Sequence, residues 1–227
     1  EHVCRVYKLT ARHHSLHSKL VQLSYSQRES DLSNDAVQDC RGLILERGSW
    51  DVVAWPFRKF FNADEPNGQT TARQFDWTSA KVYEKIDGSI LTLYFYGRRW
   101  NVSSSSLPGA DGQVKGGATF ADVFWREWEA AGLSLPEDKT RCYMFELALP
   151  ENTIVVRHSR ATLTCIGARD LSTLAELDCE AVAVENGWPT PRRLALSPRA
   201  AVRAAARRRE PGSHQGSGAG GGAVRRV

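Results

Sequence analysis

The segment Lys81-Val-Tyr83-Glu-Lys85-Ile-Asp87-Gly88-Ser-Ile90 carries the densest chemical signal in the chain. Val82 and Tyr83 alternate with polar neighbours and lead into Lys85 as a strand. Asp87-Gly88 is a turn signal, and Ile90-Leu-Thr-Leu-Tyr-Phe-Tyr96 reads as a second strand. Lys85 therefore stands where a strand gives way to a tight turn, which predicts a hairpin. A lysine amine held there suits attack on a phosphorus atom. Asp87 can orient the ammonium or a ribose hydroxyl, and Gly88 lets the backbone come close to a nucleotide. Lys-x-Asp-Gly is short enough to arise by chance in roughly one chain in twenty of this length. A hairpin with a solvated lysine fits it as well, so the rest of the sequence has to decide.

Upstream, Asp39-Cys-Arg41-Gly-Leu-Ile-Leu-Glu46 is read as a buried strand through Leu43, Ile44 and Leu45, with Arg41 at its start. Gly48 and Ser49 make a turn, and Trp50 to Trp55 return as the partner strand. Arg41 is placed at one end of that sheet, where it either meets a ligand or makes a surface ion pair. Pro56-Phe-Arg-Lys59-Phe-Phe61-Asn62 is short, apolar and yet basic. Rings for a base and a cation for phosphate make it a candidate nucleotide wall, and ordinary core packing of the rings is the alternative. Downstream, Cys142 to Leu147 reads as a strand that Glu146 interrupts. A carboxylate inside an apolar strand needs a partner or a task.

The remaining elements are conventional. Leu20 to Tyr25 reads as a strand. Ser103 to Ser105 open a Gly/Pro/Ser-rich loop that runs to Gly117. Residues 119–131 predict a helix with Thr119 as N-cap and Gly132 as terminator. Thr153 to Val156 and Leu163 to Asp170 predict strands, and Leu171 to Ala183 a helix. His13, His14 and His17 resemble a metal cluster, but no second ligand group stands nearby, and solvated surface histidines are expected.

Composition bounds the class. At 227 residues the chain suffices for one sizeable domain. Its five cysteines are scattered and form no Cys-x-x-Cys pair, which argues against a zinc site or disulfide framework. Scattered free thiols, no apolar run of membrane length and no signal peptide predict a soluble protein of a reducing, cytoplasmic compartment. The net charge of +4 is uneven. From Pro191 onward nine arginines face one acid, Glu210, so residues 1–190 carry −4 and the remainder +8. Residues 1–190 are read as the folded domain and 191–227 as a basic Ala/Arg/Gly-rich tail, expected to be disordered.

With Arg41-Gly, Lys59-Phe-Phe61-Asn, Lys85-x-Asp87-Gly88 and Phe145-Glu146 in this order, the chain resembles the ATP-dependent RNA ligases, within the branch of the phage tRNA-repair ligases. The resemblance runs from about Tyr25 to Asp170 and implies an α+β nucleotidyltransferase domain, antiparallel sheets flanked by helices with ATP in the cleft between them. It implies that Lys85 is adenylylated, that Arg41 and Lys59 bind the ATP phosphates, and that Glu146 holds the ribose hydroxyls. Tyr25 and Phe61 would help shape the pocket, and Asp87 and Gly88 complete the lysine motif. ATP, Mg²⁺ and RNA 5′-phosphate and 3′-hydroxyl ends are the implied partners of a monomeric enzyme. The attacking amine must be neutral, which Arg41, Lys59 and Mg²⁺ would favour.

The sequence departs from that pattern in two places. Ser103 to Ser105 stand where some relatives carry a basic residue, which puts a phosphate contact there in question. The family's later Glu-Gly and Lys-x-Lys motifs are missing: no Glu-Gly follows Glu146 and no lysine follows Lys139. A shifted reading frame near the end of the gene would produce such a tail. Two alternatives follow. One is an inactive nucleotide- or RNA-binding relative, and the other a DNA ligase or capping-type nucleotidyltransferase, which shares the lysine motif.

Overall fold

A computed structural model describes residues 1–62, 65, 67, 79–150, 158–195 and 223–225. Four strands, β1 (Leu9–His13), β2 (Leu20–Tyr25), β3 (Arg41–Glu46) and β4 (Val52–Ala54), form an antiparallel meander. A second antiparallel sheet has the order β10-β9-β8-β6-β7, from β6 (Ser89–Tyr96), β7 (Arg99–Ser104), β8 (Arg141–Ala148), β9 (Thr162–Asp170) and β10 (Glu176–Leu177). Two short helices, α1 (His2–Tyr7) and α2 (Asp35–Asp39), accompany the first sheet. Two longer ones, α3 (Phe120–Ala130) and α4 (Cys179–Asn186), accompany the second.

Strand periodicity explains the layering, because alternate residues face opposite sides of a sheet. On β8, Tyr143, Phe145 and Leu147 enter a core shared with Phe124 and Trp128 of α3, while Cys142 and Met144 face the first sheet. There they meet Leu20, Ile44, Val53 and Phe57. Leu43 turns the other way, toward Leu9, Val37 and Cys40. Leu43, Ile44 and Leu45 are thus not uniformly buried, as the sequence suggests; only Ile44 is fully enclosed. The meander serves two cores at once, and its strands divide their side chains between them.

One linker binds the sheets. After β4 the chain crosses the second sheet, where the Phe57 ring fills the space that a Cβ at Gly167 would need, 2.3 Å from ring carbon Cζ. Arg169 on β9 is buried, donates to the Trp55 carbonyl at 2.9 Å and lies 4.4 Å from the centroid of its ring. The remaining guanidinium nitrogens reach the Leu174 carbonyl and Glu176, so this buried cation is fully partnered.

The sequence reading holds for β2, β8, β9 and α3. Thr119 caps α3 in a reciprocal box with Asp122. It fails in three places. Leu171 to Ala183 is not one helix. Asp170 Oδ1 accepts from the Ser172 and Thr173 amides, making a turn. β10 follows, and the helix starts only after Asp178, whose carboxylate caps Ala181. The segment around Lys85 is not a hairpin. β5 (Tyr83–Lys85) pairs with β11 (Ala223–Arg225), and β6 belongs to the five-stranded sheet. Residues 192–194, assigned to the tail by composition, also lie along β5, with Glu84 N–H donating to Arg192 O and Leu194 N–H to Val82 O. Ordered backbone therefore runs past residue 190. Thr153 to Val156 lie outside the described residues.

The histidines form no metal site and His14 is not solvated. Among the described residues no group of three or more His, Cys, Asp or Glu side chains could hold a metal. His14 is buried, and its Nδ1 accepts the Leu16 and His17 amides at 3.0 and 3.3 Å. That fixes Nδ1 as unprotonated. Burial, the His17 ring and Arg99 push the His14 pKa down, against the opposing pull of Asp111. The unfolded chain therefore takes up the proton first. Stability from this site is complete above the ordinary value of 6.5 and falls as pH drops through it. His14→Asn keeps an acceptor for the same turn without the titration. We expect its melting temperature to fall less than wild type's on acidification from about pH 7.5 to 5.5. Parallel pH profiles would refute this.

Candidate active site

A cleft of about 460 Å³ opens between the sheets. Its walls come from the start of β3 (Arg41), the linker (Phe60), residues 83–90, the end of β7 with its loop (Ser104 to Ser106), and Glu146 and Ile166 on β8 and β9. Phe120, Cys179 and Pro191 complete it.

Two local irregularities shape the lining. β2 and β3 pair Leu23 with Leu43 but Ser24 with Arg41, so Gly42 is an extra residue, a β-bulge. Gly42 has φ +94, and its Cα lies so near Ser105 that a Cβ would stand 3.3 Å from the Ser105 Cα. Both facts favour glycine. The bulge sets Arg41 at the cleft, its guanidinium carbon 4.9 Å from the Phe60 ring centroid. The Tyr25 hydroxyl adjoins the same guanidinium. Burial raises the Tyr25 pKa, and Arg41 opposes the rise. A second bulge, between Met144 and Phe145, leaves Ile166 as the extra residue of β9. Glu146 lies on the face of β8 that looks toward the first sheet and is 7% exposed.

Lys85 ends β5 and is exposed at the cleft, whereas Asp87 is buried two residues on. The backbone between them is held from two sides. His158 Nε2 donates to the Asp87 carbonyl at 2.6 Å. Gly88 rests on β8, where a Cβ would stand 2.4 Å from the Leu147 carbonyl oxygen. The protein's own backbone thus demands glycine here, independently of any nucleotide that approaches the turn.

The structure gathers Arg41, Lys85, Asp87, Gly88 and Glu146 around one cavity. Lys59, Phe61 and Tyr25 do not line it. Lys59 turns away, donating to the Phe60 carbonyl at 2.9 Å and lying over the Phe61 ring. Of the two adjacent rings, the one at the cleft is Phe60. Adjacent aromatics give no sequence signal for which one faces in, and the same holds for Ile166 and Cys179. The serine run is tied to the first sheet: Gln22 Nε2 donates to Ser104 O at 2.8 Å and Ser24 Oγ to Ser105 O at 2.9 Å.

This architecture is shared with polynucleotide ligases. An archaeal ATP-dependent RNA ligase matches with TM-score 0.51 at 15% identity, covering 89% of this chain and 53% of that one. An ATP-dependent DNA ligase of Aquifex aeolicus matches at TM-score 0.50 and 15% identity, covering 85% of this chain and 49% of that one. The chain belongs to the RNA ligase family, whose model matches residues 39–207. The match continues 17 residues beyond the compositional boundary at 190. The RNA ligase of Rhodothermus phage RM378 is 28% identical over 163 residues, 58% of this chain and 37% of that protein. A protein of Autographa californica nuclear polyhedrosis virus, described as a bifunctional polynucleotide kinase/RNA ligase, is 28% identical over 193 residues, 76% of this chain and 27% of that protein. The chain thus spans little more than a quarter to a third of the length of these relatives. No helix among the described residues is long and apolar enough to cross a membrane.

Gly88→Ala tests the packing of the lysine turn. The new methyl meets backbone, which cannot rotate away, so the turn or β8 must shift. We expect a loss of about 1–3 kcal/mol in denaturant unfolding. Unchanged stability would mean that the turn does not rest on Leu147.

Proposed function

We propose that this chain is the nucleotidyltransferase part of an ATP-dependent RNA ligase, with Lys85 as the nucleophile. The observation that carries the reading is the convergence of Lys85, Arg41, Asp87 and Glu146, separated by up to 105 positions, on one cleft. Family membership supports it independently.

In this reading the neutral Nζ of Lys85 attacks the α-phosphorus of ATP in line. The nitrogen–phosphorus bond forms, the bond to the bridging oxygen breaks, pyrophosphate leaves and the amine loses a proton. AMP then passes to an RNA 5′-phosphate, and an RNA 3′-hydroxyl displaces it to join the strands. Arg41 receives phosphate charge. Phe60 lies under the guanidinium and offers its ring to the base. Glu146 accepts ribose hydroxyls, a task suited to a buried carboxylate. Tyr25, with its hydroxyl at Arg41, and Lys59, with its ammonium on the Phe60 carbonyl, hold that wall from behind. Mg²⁺ would be carried mainly by the ATP phosphates, and the carboxylates at the cleft that could meet it are Glu84, Asp87 and Glu146.

Within these 227 residues no lysine follows Lys139 and no Glu-Gly follows Glu146, so this stretch supplies no later lysine to the α-phosphate. Lost transition-state contacts of this kind cost about 2.7–4 kcal/mol each. We expect slow adenylylation and undetectable strand joining. The test is incubation with α-labelled ATP and Mg²⁺, then a denaturing gel. Label stable to base and labile to acid is expected on wild type. It should be absent from Lys85→Ala and from Lys85→Arg, whose guanidinium stays protonated. Label that survives Lys85→Ala would place the nucleophile elsewhere. Complete absence from wild type would favour the inactive, nucleotide- or RNA-binding relative, and label from GTP rather than ATP a capping enzyme.

Arg41→Ala and Glu146→Ala should each weaken ATP binding, roughly tenfold or more if a charged contact worth about 1.5–3 kcal/mol is lost. Calorimetric titration measures this, and unchanged affinity in both variants would remove them from the site.

A further inference from the structure

We propose that the end of the first sheet opposite the cleft is a docking platform for single-stranded RNA. Trp50 would stack on a base, and Lys19, Arg47, Arg98 and Arg99 would take the flanking phosphates. The preference for RNA over DNA rests on the ligase reading; the stacking surface does not.

Three turns meet there. Arg47, after β3, donates its amide to the Lys19 carbonyl ahead of β2 at 2.7 Å. Glu46 accepts the Tyr96 hydroxyl at 3.0 Å and lies 3.9 Å from Lys19 Nζ. His17 packs edge-on against Tyr96, 5.2 Å between centroids, and so close to Gly97 that a Cβ there would stand 2.9 Å from its ring. The tips of β3–β4 and β6–β7 and the β1–β2 loop are therefore welded into one surface.

What these tips present is unusual. Trp50 is 61% exposed and has φ 63, a conformation that suits glycine or asparagine. A large ring held there without burial costs stability and gains none from packing, as expected of a side chain kept for a ligand. Arg98, φ 64, follows Gly97, φ 59, in the two-residue loop between β6 and β7, which favours glycine or asparagine at both positions. Lys19, Arg47, Arg98 and Arg99 are all exposed. The acids on these turns are Glu46, already engaged by Tyr96 and Lys19, and Asp51; Asp111 nearby accepts from Ser15. The balance is positive on a body that is negative through residue 190.

An exposed ring flanked by fixed cations matches a strand of stacked bases and phosphates, because every base offers a π-face. Arg41 and Glu46 are the two ends of β3, about 17 Å apart at the rise of an extended strand. One RNA strand can therefore have its end in the cleft and its continuation on the platform.

The test uses the full chain and a fluorescein-labelled oligouridylate about twelve nucleotides long, with anisotropy read at several salt concentrations. Trp50→Ala should bind about tenfold more weakly, and Trp50→Phe nearly as wild type, because the ring is kept. Arg47→Ala with Arg98→Ala should lower the log–log salt slope by about 1.4, two phosphate contacts' worth. Labelling by ATP should be unchanged in all three variants. Wild-type affinity in Trp50→Ala, or equal loss in Trp50→Phe, would overturn the platform and leave the patch to another partner. Tighter binding of the matching oligodeoxythymidylate would overturn the assignment to RNA. Absence of label from wild type, with oligouridylate binding still sensitive to Trp50, would strike the ligase reading alone.

Discussion

The approach of the Gly88 main chain to the Leu147 carbonyl sets the geometry of the whole active face. A Cβ at that position would penetrate the backbone of β8, so only glycine permits β6 to leave the turn already in register beside β8. That register places Ile90 opposite Glu146. The same contact separates β5 from β6, so Lys85 ends a strand that is not part of the five-stranded sheet. The lysine is thus held at the rim of the cleft while Asp87 is buried below it. The donation of His158 to the Asp87 carbonyl gives the turn a second brace.

A cleft between two sheets keeps its width only if the sheets are fixed to each other elsewhere. The Phe57 ring against Gly167 and Arg169 against Trp55 do this at the linker. The hydrogen bonds of Gln22 and Ser24 to the serine loop do it at the mouth. The cluster of His17, Tyr96 and Glu46 does it at the far end of β3. The linker is held by the Phe57 ring and the Arg169–Trp55 contact, whereas two amides of the His14 turn beside the far cluster lose their shared acceptor when Nδ1 is protonated. Acid should therefore loosen the far end before the linker.

Much of the site was legible in the sequence, and the reason is chemical. Arg41, Asp87 and Glu146 are charged groups in or beside apolar strands, a placement that costs free energy unless a partner or task exists. The Thr119 capping box and the β2, β8 and β9 patterns were legible because their signals are local. What was lost depends on contacts distant in sequence. The Asp-Gly turn looks like a hairpin until β8 is known to lie against Gly88. Phe60 and Phe61 are indistinguishable until Arg41 is placed over one of them. Neither bulge has a local signature beyond Gly42, yet each decides which residue of its strand meets the cleft.

The unequal charge of the chain gains a structural meaning from this arrangement. A body of −4 would repel nucleic acid at a distance, so long-range attraction has to come from places where cations outnumber acids. At the cleft the lining cations Arg41 and Lys85 face Glu84, Asp87 and Glu146, so the cleft itself carries no excess of positive charge. Residues 192–194 lie along β5, but Arg192 and Arg193 are paired with Glu84 and Glu180, so they brace that strand more than they add free charge. Exposed cations away from the cleft include Arg47 and Arg98, at turns on the far side of the first sheet. A strand captured there by its backbone would reach the cleft along the sheet. In the proposed reading, capture by backbone and chemistry at an end are separate demands, met by opposite ends of β3.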